Sequence, residues 1–208
     1  LDLLGGCRRA LRIGNDTYVV GQSGDIVVEN VNEGTDTILT TLATYTLGAN
    51  VENLTYTGQG SFTGNGNSLA NVITGSGGAD ILSGGLGNDQ VDGGAGTDTA
   101  VFSGARSAYS IATNVDGSIS VTLTNTGEVD VLRNVEFARF TDQSQTLSTA
   151  TVINGTAGNN TLVGTAANEI LVGGAGTDRM TGGAGNDVFK FNAITDSATS
   201  QAARDVIV

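Results

Sequence analysis

Short apolar triplets recur along this chain at a fixed spacing, each set between glycine-rich turns. From Gly75 to Val101 the residues read GSGGADILS, GGLGNDQVD and GGAGTDTAV, three units of nine with no gap. Each unit opens with a six-residue turn closing on Asp80, Asp89 or Asp98 and then gives three residues of strand. The design returns from Gly155 to Lys190 as GTAGNNTLV, GTAANEILV, GGAGTDRMT and GGAGNDVFK. Successive side chains on a strand point to opposite faces. Each triplet therefore turns about one side chain inward: Leu82, Val91 and Ala100, then Leu162, Leu171, Met180 and Phe189. Repetition at a fixed period predicts stacked units, each burying its apolar face against its neighbours.

Outside the two blocks the pattern changes. Residues 1–58 hold irregular β-rich pieces (TYVV, DIVVEN, DTILTTL, YTLGANVENLTYTG) bounded by Gly or Asn, read as strand and turn. Residues 1–12 carry three of the nine basic residues and fit the repeat poorly, as if a glycine turn were damaged. Block one spans 59–101. Across 102–152 the repeat breaks, and YSIAT and ISVTL alternate apolar and polar around NVDGS, a hairpin signal. A third strand of this antiparallel insertion is expected around VEFARF, after GEVDVLRN. Block two spans 153–208, where Phe189, Phe191 and Ile194 are expected to cover the open end and SATSQAARD to hold a short helix.

Composition changes this picture by raising the cost of order. Nine glycines fall between Gly75 and Val101, and each costs roughly 0.5–1 kcal/mol more to order than alanine in a regular element. One inward side chain per unit does not offset that. The same stretch has four carboxylates (Asp80, Asp89, Asp92, Asp98) and no basic residue, and the chain carries a net charge of −12. A bound cation would supply the missing stabilisation and relieve self-repulsion. Turn carbonyls plus aspartates suit calcium, which takes 6–8 oxygen ligands. The absence of histidine and the single cysteine, Cys7, argue against a softer metal. With two units per coil, carboxylates eighteen residues apart stack on one side, and adjacent strands lie about 4.8 Å apart. Asn53, Phe62, Asn71, Asp80, Asp89 and Asp98 share one nine-residue comb; Asn160, Glu169, Asp178, Asp187, Asp196 and Asp205 share another. The competing reading is that the turns are only tight corners with solvated carboxylates. Glu29, Glu33 and Asp36 are likewise read as a solvated edge rather than a cation site.

GGLGNDQVD, GGAGTDTAV, GGAGTDRMT and GGAGNDVFK resemble GGxGxDxUx, the motif of the RTX (repeats-in-toxin), or hemolysin-type, family of secreted bacterial proteins, with Ala100 small for the apolar U. The resemblance implies an all-β fold, a right-handed parallel β-roll with Ca2+ between stacked turns, here with a small antiparallel insertion. It implies that one turn gives its second and fourth carbonyls plus its aspartate, and the turn eighteen residues on its first and third plus its aspartate. Carried over, one site uses Ser76, Gly78, Asp80, Gly93, Ala95 and Asp98. A second uses Asn67, Leu69, Asn71, Gly84, Leu86 and Asp89. In block two, Thr156, Gly158 and Asn160 pair with Gly173, Ala175 and Asp178, and Thr165, Ala167 and Glu169 with Gly182, Ala184 and Asp187. Gly183, Gly185, Asp187 and Asp205 form a further site. Asn71 and Asn160 replace aspartate and remove charge, so their sites are expected to be weaker or empty, and Glu169 is longer by one methylene.

The resemblance also implies export through type I secretion machinery and an extracellular or cell-surface location. The abrupt start and the stop at Val208 are expected of a piece of a longer chain. Without histidine there is no Ser-His-Asp triad or HExxH zinc site, and no G-x-S-x-G elbow occurs. No catalytic residue or organic cofactor is expected, and the module itself is read as a non-enzyme. The acidic charge disfavours nucleic acid, and no run of 18 apolar residues exists to form a membrane span. The expected function is a calcium-binding β-roll module. The alternatives are the accessory or secretion domain of an exported protease, lipase or epimerase, and a self-assembling surface or adhesin protein.

Overall fold

Every eighteen residues through the repeats, the chain returns to the same place. Ile81 pairs with Thr99, Val72 with Gln90, and Thr161 with Arg179, all in parallel register. A three-residue strand between glycine turns is too short to form a stable hairpin, so it pairs with its equivalent one coil away. The computed structural model describes residues 13–114, 116–147, 151–165, 169–184 and 187–191, with the short strands Asp2–Leu3, Arg9–Ala10 and Val206–Ile207. All of its sheets are built chiefly from parallel stacked coils. Among the described residues the one helical element is the 3-10 turn Arg106–Ala108.

Two compact units form, Leu1–Ala112 with Ile119–Leu147, and Thr113–Ser118 with Ser148–Val208. In the first, one sheet stacks Asp2–Leu3, Thr17–Val20, Thr37–Thr40, Asn53–Tyr56, Val72–Thr74, Gln90–Asp92 and Glu128–Arg133, then Ile119–Leu123 and Tyr109–Thr113. The second sheet stacks Thr44–Thr46, Thr63–Asn65, Ile81–Ser83, Thr99–Val101, Phe137–Arg139 and Ser144–Thr146. In the second unit, Thr151–Asn154, Glu169–Val172 and Val188–Lys190 form one three-stranded sheet, and Thr161–Val163, Arg179–Thr181 and Val206–Ile207 the other. Even Asp2–Leu3 and Arg9–Ala10 pair in parallel, with Tyr18–Val19 and Ile26–Val27.

The core lies between the two sheets of each unit. Leu82, Val91, Ala100, Leu162, Leu171 and Met180 point inward and are buried, and Phe189 packs partly buried against the second cluster. Leu82 stands between Gly64 and Ala100 in its column, where the missing side chain of Gly64 also leaves room for the Phe62 ring. The first core is richer in aromatics than a 5% aromatic content suggests. Tyr56 stacks on Phe62 with centroids 4.5 Å apart, just before the strict repeats begin. Phe102, Tyr109 and Phe140 cluster at 5.2–5.3 Å just after they end, with the Arg106 guanidinium over Phe140. Phe191 is exposed, while Ile194 and the stretch 197–205 expected to hold a helix lie outside the described residues.

The insertion differs from expectation in one strand. Ile119–Leu123 runs antiparallel to Glu128–Arg133, and Asn114 N–H donates to Ser118 C=O (2.8 Å) across the hairpin end. EVDVLR, expected only as the lead-in to VEFARF, is thus itself an antiparallel strand of the insertion. Phe137–Arg139, within VEFARF, runs antiparallel to Ser144–Thr146 on one edge and, against expectation, parallel to Thr99–Val101 on the other. The physical reason is that both segments have resumed the coil: Glu128–Arg133 continues the column of Gln90–Asp92, and Phe137–Arg139 continues that of Thr99–Val101.

Leu82 has no exposed surface, so Leu82→Ala leaves a cavity and should lower unfolding free energy by about 2–5 kcal/mol. Denaturant melts of both chains check this.

Candidate metal centre

The residue that closes each turn ties its coil to the next by a reciprocal pair of hydrogen bonds. Asp80 donates its N–H to Asp98 Oδ1 (2.7 Å), and its C=O accepts from Thr99 N–H (2.9 Å). Asn71 does the same with Asp89 Oδ1 (2.8 Å) and Gln90 N–H (2.8 Å). In the second unit, Asn160 N–H donates to Asp178 Oδ1 (2.8 Å) and Glu169 N–H to Asp187 Oδ1 (2.9 Å). One carboxylate oxygen is thus committed to the coil before. Asp80, Asp89, Asp98, Asp178 and Glu169 are all buried.

The other oxygen leans over its own glycine turn toward the coil after. A methyl group placed on Gly75 would lie 2.2 Å from Asp80 Oδ2 and 2.5 Å from the Gly93 carbonyl oxygen, which are therefore near neighbours. The same cradle recurs at Gly66 (Asn71 Oδ1 and Gly84 O), at Gly155 (Asn160 Oδ1 and Gly173 O) and at Gly164 (Glu169 Oε2 and Gly182 O). The second-position carbonyls of Ser76, Asn67, Thr156 and Thr165 each accept one N–H from the next coil, from Ala95, Leu86, Ala175 and Ala184 at 2.7–3.1 Å. Gly78 O lies against Gly96, Leu69 O against Gly87 and Gly158 against Gly176. The four carried-over residue sets are thereby brought together, apart from Ala167, which lies outside the described residues. In the fifth set Gly183 lies against Thr165 O, while Gly185 and Asp205 lie outside them; Val206–Ile207 pairs with Arg179–Met180.

These oxygens fit a hard cation. Asp89 Oδ2 and Asp98 Oδ2 are buried and accept no hydrogen bond, a costly state for a charged group. Among the described residues no three acidic side chains converge, so each candidate centre would rest on two acidic or amide side chains plus turn carbonyls, the mixed oxygen set calcium accepts. Burial pushes the Asp89 carboxyl up to about 6, against the hydrogen bond from Asn71 N–H, with the Glu128 charge adding to the rise. Burial also raises Asp98.

Several acidic residues share this architecture without sharing the nonapeptide spacing. Asp16 N–H donates to Asp36 Oδ1 (2.8 Å) and Asp36 N–H to Glu52 Oε2 (2.8 Å). Beyond the repeats, Asp89 N–H donates to Asp130 Oδ1 (3.0 Å) and Asp98 N–H to Glu136 Oε2 (2.7 Å), across separations of 41 and 38 residues. Burial lifts the Asp130 carboxyl to about 7, with Asp89 and Glu128 adding repulsion. Asn53, on the nine-residue comb, pairs one place later than Glu52, which takes the turn-closing position beside Asp36. Its Nδ2 donates to the Asp36 carbonyl (3.2 Å). Glu29 and Asp36, expected at a solvated edge, are buried; Tyr18 O–H donates to Glu29 Oε1. A reading of glutamate as equivalent to aspartate, with coil lengths free to vary, is the signal that would have found these.

A model of the RTX calcium-binding nonapeptide repeat matches residues 65–100 and 152–189, in four copies. The chain carries RTX repeats. That family binds Ca2+, and proteins bearing RTX repeats are typically secreted. The chain is also similar to the endo-1,3-1,4-beta-glycanase ExsH of Rhizobium meliloti (strain 1021), 46% identical over 65 residues, 31% of this chain and 14% of that protein. It thus spans a small part of that relative's length. The crystal structure of the extracellular lipase LipA from Serratia marcescens aligns over 77% of this chain and 33% of that one, at 17% identity and a TM-score of 0.46.

Two outcomes test the RTX turns directly. Gly96 has φ 137, and a Cβ there would sit 2.1 Å from Gly78 O. Gly96→Ala should raise the calcium midpoint for folding about tenfold, equivalent to about 1.4 kcal/mol. The second outcome concerns pH without metal. Asp89 and Asp130 titrate at about 6 and about 7 when folded, above the ~3.9 of an exposed aspartate. The folded state then binds the extra protons, so metal-free stability is lowest above pH ~7 and rises as pH falls toward ~4. Circular dichroism of calcium-free protein should show more β signal at pH ~5 than at pH ~8.

Proposed function

We propose that this chain is a calcium-binding β-roll module of a secreted bacterial protein, loose where calcium is scarce and folded in calcium-rich medium. The observation that carries this reading is the cradle repeated at Gly75, Gly66, Gly155 and Gly164, where a carboxylate or amide oxygen closing one turn sits beside the first carbonyl oxygen of the turn eighteen residues on. Calcium, when bound, supplies the positive charge these oxygens lack. The residues that would hold it are the four sets Ser76 to Asp98, Asn67 to Asp89, Thr156 to Asp178 and Thr165 to Asp187 named above, and at the C-terminal end Gly183, Gly185, Asp187 and Asp205. Asp80 and Asp98 form the strongest pair because both are aspartates, whereas the charged pair Glu169 and Asp187 has one side chain longer by a methylene. Asn71 and Asn160 offer a neutral oxygen and hold weaker sites. Blocks 59–101 and 153–208 carry the ions, 1–58 leads into the first roll, and 102–152 closes it. Type I secretion machinery is the proposed export partner.

Linkage gives the switch its size. A ligand that binds only the folded state adds about 2.7 kcal/mol per site at 100 times its Kd. Several sites together exceed the whole stability of many domains, about 5–15 kcal/mol. Extracellular calcium modules work at Kd of about 10⁻⁴–10⁻³ M, a range that fits folding in calcium-rich medium.

A second reading is favoured by the glycanase match: the module is the accessory roll of an exported polysaccharide-cleaving enzyme. The catalytic carboxylates would then lie beyond these residues. A full-length chain carrying such a pair supports this reading, and one without a catalytic domain removes it.

A calcium titration followed by far-UV circular dichroism tests the leading reading. The expected result is a cooperative gain of β structure reversed by EGTA. A fully formed β spectrum in excess EGTA overturns it.

A further inference from the structure

The strict repeats stop at Val101, but the coil does not. Gly93 N–H donates to the Arg133 carbonyl (3.0 Å), which sets Asn134 beside Gly93, the position Gly93 holds beside Gly75 one coil earlier. A methyl group on Gly93 would lie 2.5 Å from Asp98 Oδ2 and 2.2 Å from the Asn134 carbonyl oxygen. That reproduces the cradle at Gly75, where the atoms are Asp80 Oδ2 and the Gly93 carbonyl. The reciprocal hydrogen bonds are reproduced as well: Asp98 N–H donates to Glu136 Oε2 (2.7 Å), and Asp98 C=O accepts from Phe137 N–H (3.0 Å).

We propose that a divalent cation is held at this seam, where the insertion rejoins the roll, by Asp98, the Asn134 carbonyl and Glu136. The Gly94 and Gly96 carbonyls take the places that Ser76 and Gly78 have one coil earlier. The proposal rests on the calcium reading above and adds residues that lie outside every repeat. Asp98 has no exposed surface, and its Oδ2, aimed into the cradle, accepts no hydrogen bond. Its Oδ1 is already committed backward to Asp80 N–H, so Oδ2 serves the junction with the following coil. Asn134 holds φ 49, and its Nδ2 donates to Asp92 Oδ1 (2.8 Å), which pins the turn. That turn has three residues, 134–136, where a repeat has six. It offers fewer carbonyls and closes on a side chain one methylene longer, which lets Glu136 span the distance a full turn would cover.

Counting bound calcium by native mass spectrometry on the whole chain tests this. Glu136→Gln keeps an oxygen to accept the Asp98 N–H and removes the charge. Glu136→Asp keeps the charge on a shorter arm. The expected result is one ion fewer for the Gln variant than for the parent at the same calcium concentration, with the fold retained, and the full count for the Asp variant at higher calcium. A Gln variant that fails to fold in saturating calcium while the Asp variant folds also supports the site, because the two differ in charge. Full occupancy in the Gln variant overturns it, as does loss of the fold in both variants, which assigns Glu136 a structural role alone. A parent chain that binds no calcium sinks the underlying reading instead.

Discussion

The carboxylates that close the turns and tie coil to coil, such as Asp98, have two oxygens with two different duties. One accepts a backbone N–H from the preceding coil at 2.7–2.9 Å, as Asp98 Oδ1 does from Asp80 and Asp187 Oδ1 from Glu169. The other is carried into the junction with the following coil. The first duty fixes register and forces burial, and burial leaves the second oxygen of Asp89 and of Asp98 with no hydrogen-bond donor, whereas that of Asp80 accepts the Ser76 N–H (2.9 Å). Desolvating an unpaired charge costs several kcal/mol even after relaxation, whereas burying one Leu82 contributes about 1.5–3 kcal/mol. With about one inward side chain per triplet, apolar packing cannot carry such a column alone. The geometry that makes the coil regular also gathers buried negative charge that a bound cation would offset.

The sequence made Asp80 and Asp98 legible as partners because the eighteen-residue return equals two nonapeptides, and the parallel register keeps that distance. Asp130 and Glu136 were not legible for the converse reason. Register is a property of strand pairing, and the hairpin adds residues between two coils without moving either one. Asp89 meets Asp130, and Asp98 meets Glu136, as if the hairpin were absent. The same principle hid the early column. Coils of 20 and 16 residues link Asp16 to Asp36 and Asp36 to Glu52, so a fixed comb lands on Asn53 and misses its neighbour. The burial of Glu29 was hidden too, because its partner Tyr18 stands on a different coil.

The insertion shows where local pattern wins and where it loses. YSIAT and ISVTL alternate with period two, and both form antiparallel strands. EVDVLR has one face on that hairpin and one edge on Gln90–Asp92, so it is antiparallel on one side and parallel on the other. No sequence period encodes a strand with two kinds of neighbour. The aromatic residues follow the same logic: the ring cluster of Phe102, Tyr109 and Phe140 sits where the repeats end and covers the last strict coil.

Because one aspartate faces both ways, adjoining candidate ion positions would share a residue. An ion seated at one junction orders the side chain that the next junction needs and lowers the entropy still to be lost there. Occupancy should therefore spread between nearest neighbours like a zipper, with a steep, sigmoidal response to ion concentration. A neutral tooth such as Asn71 would break the chain of shared charge and set the boundary at which such a zipper starts or stops.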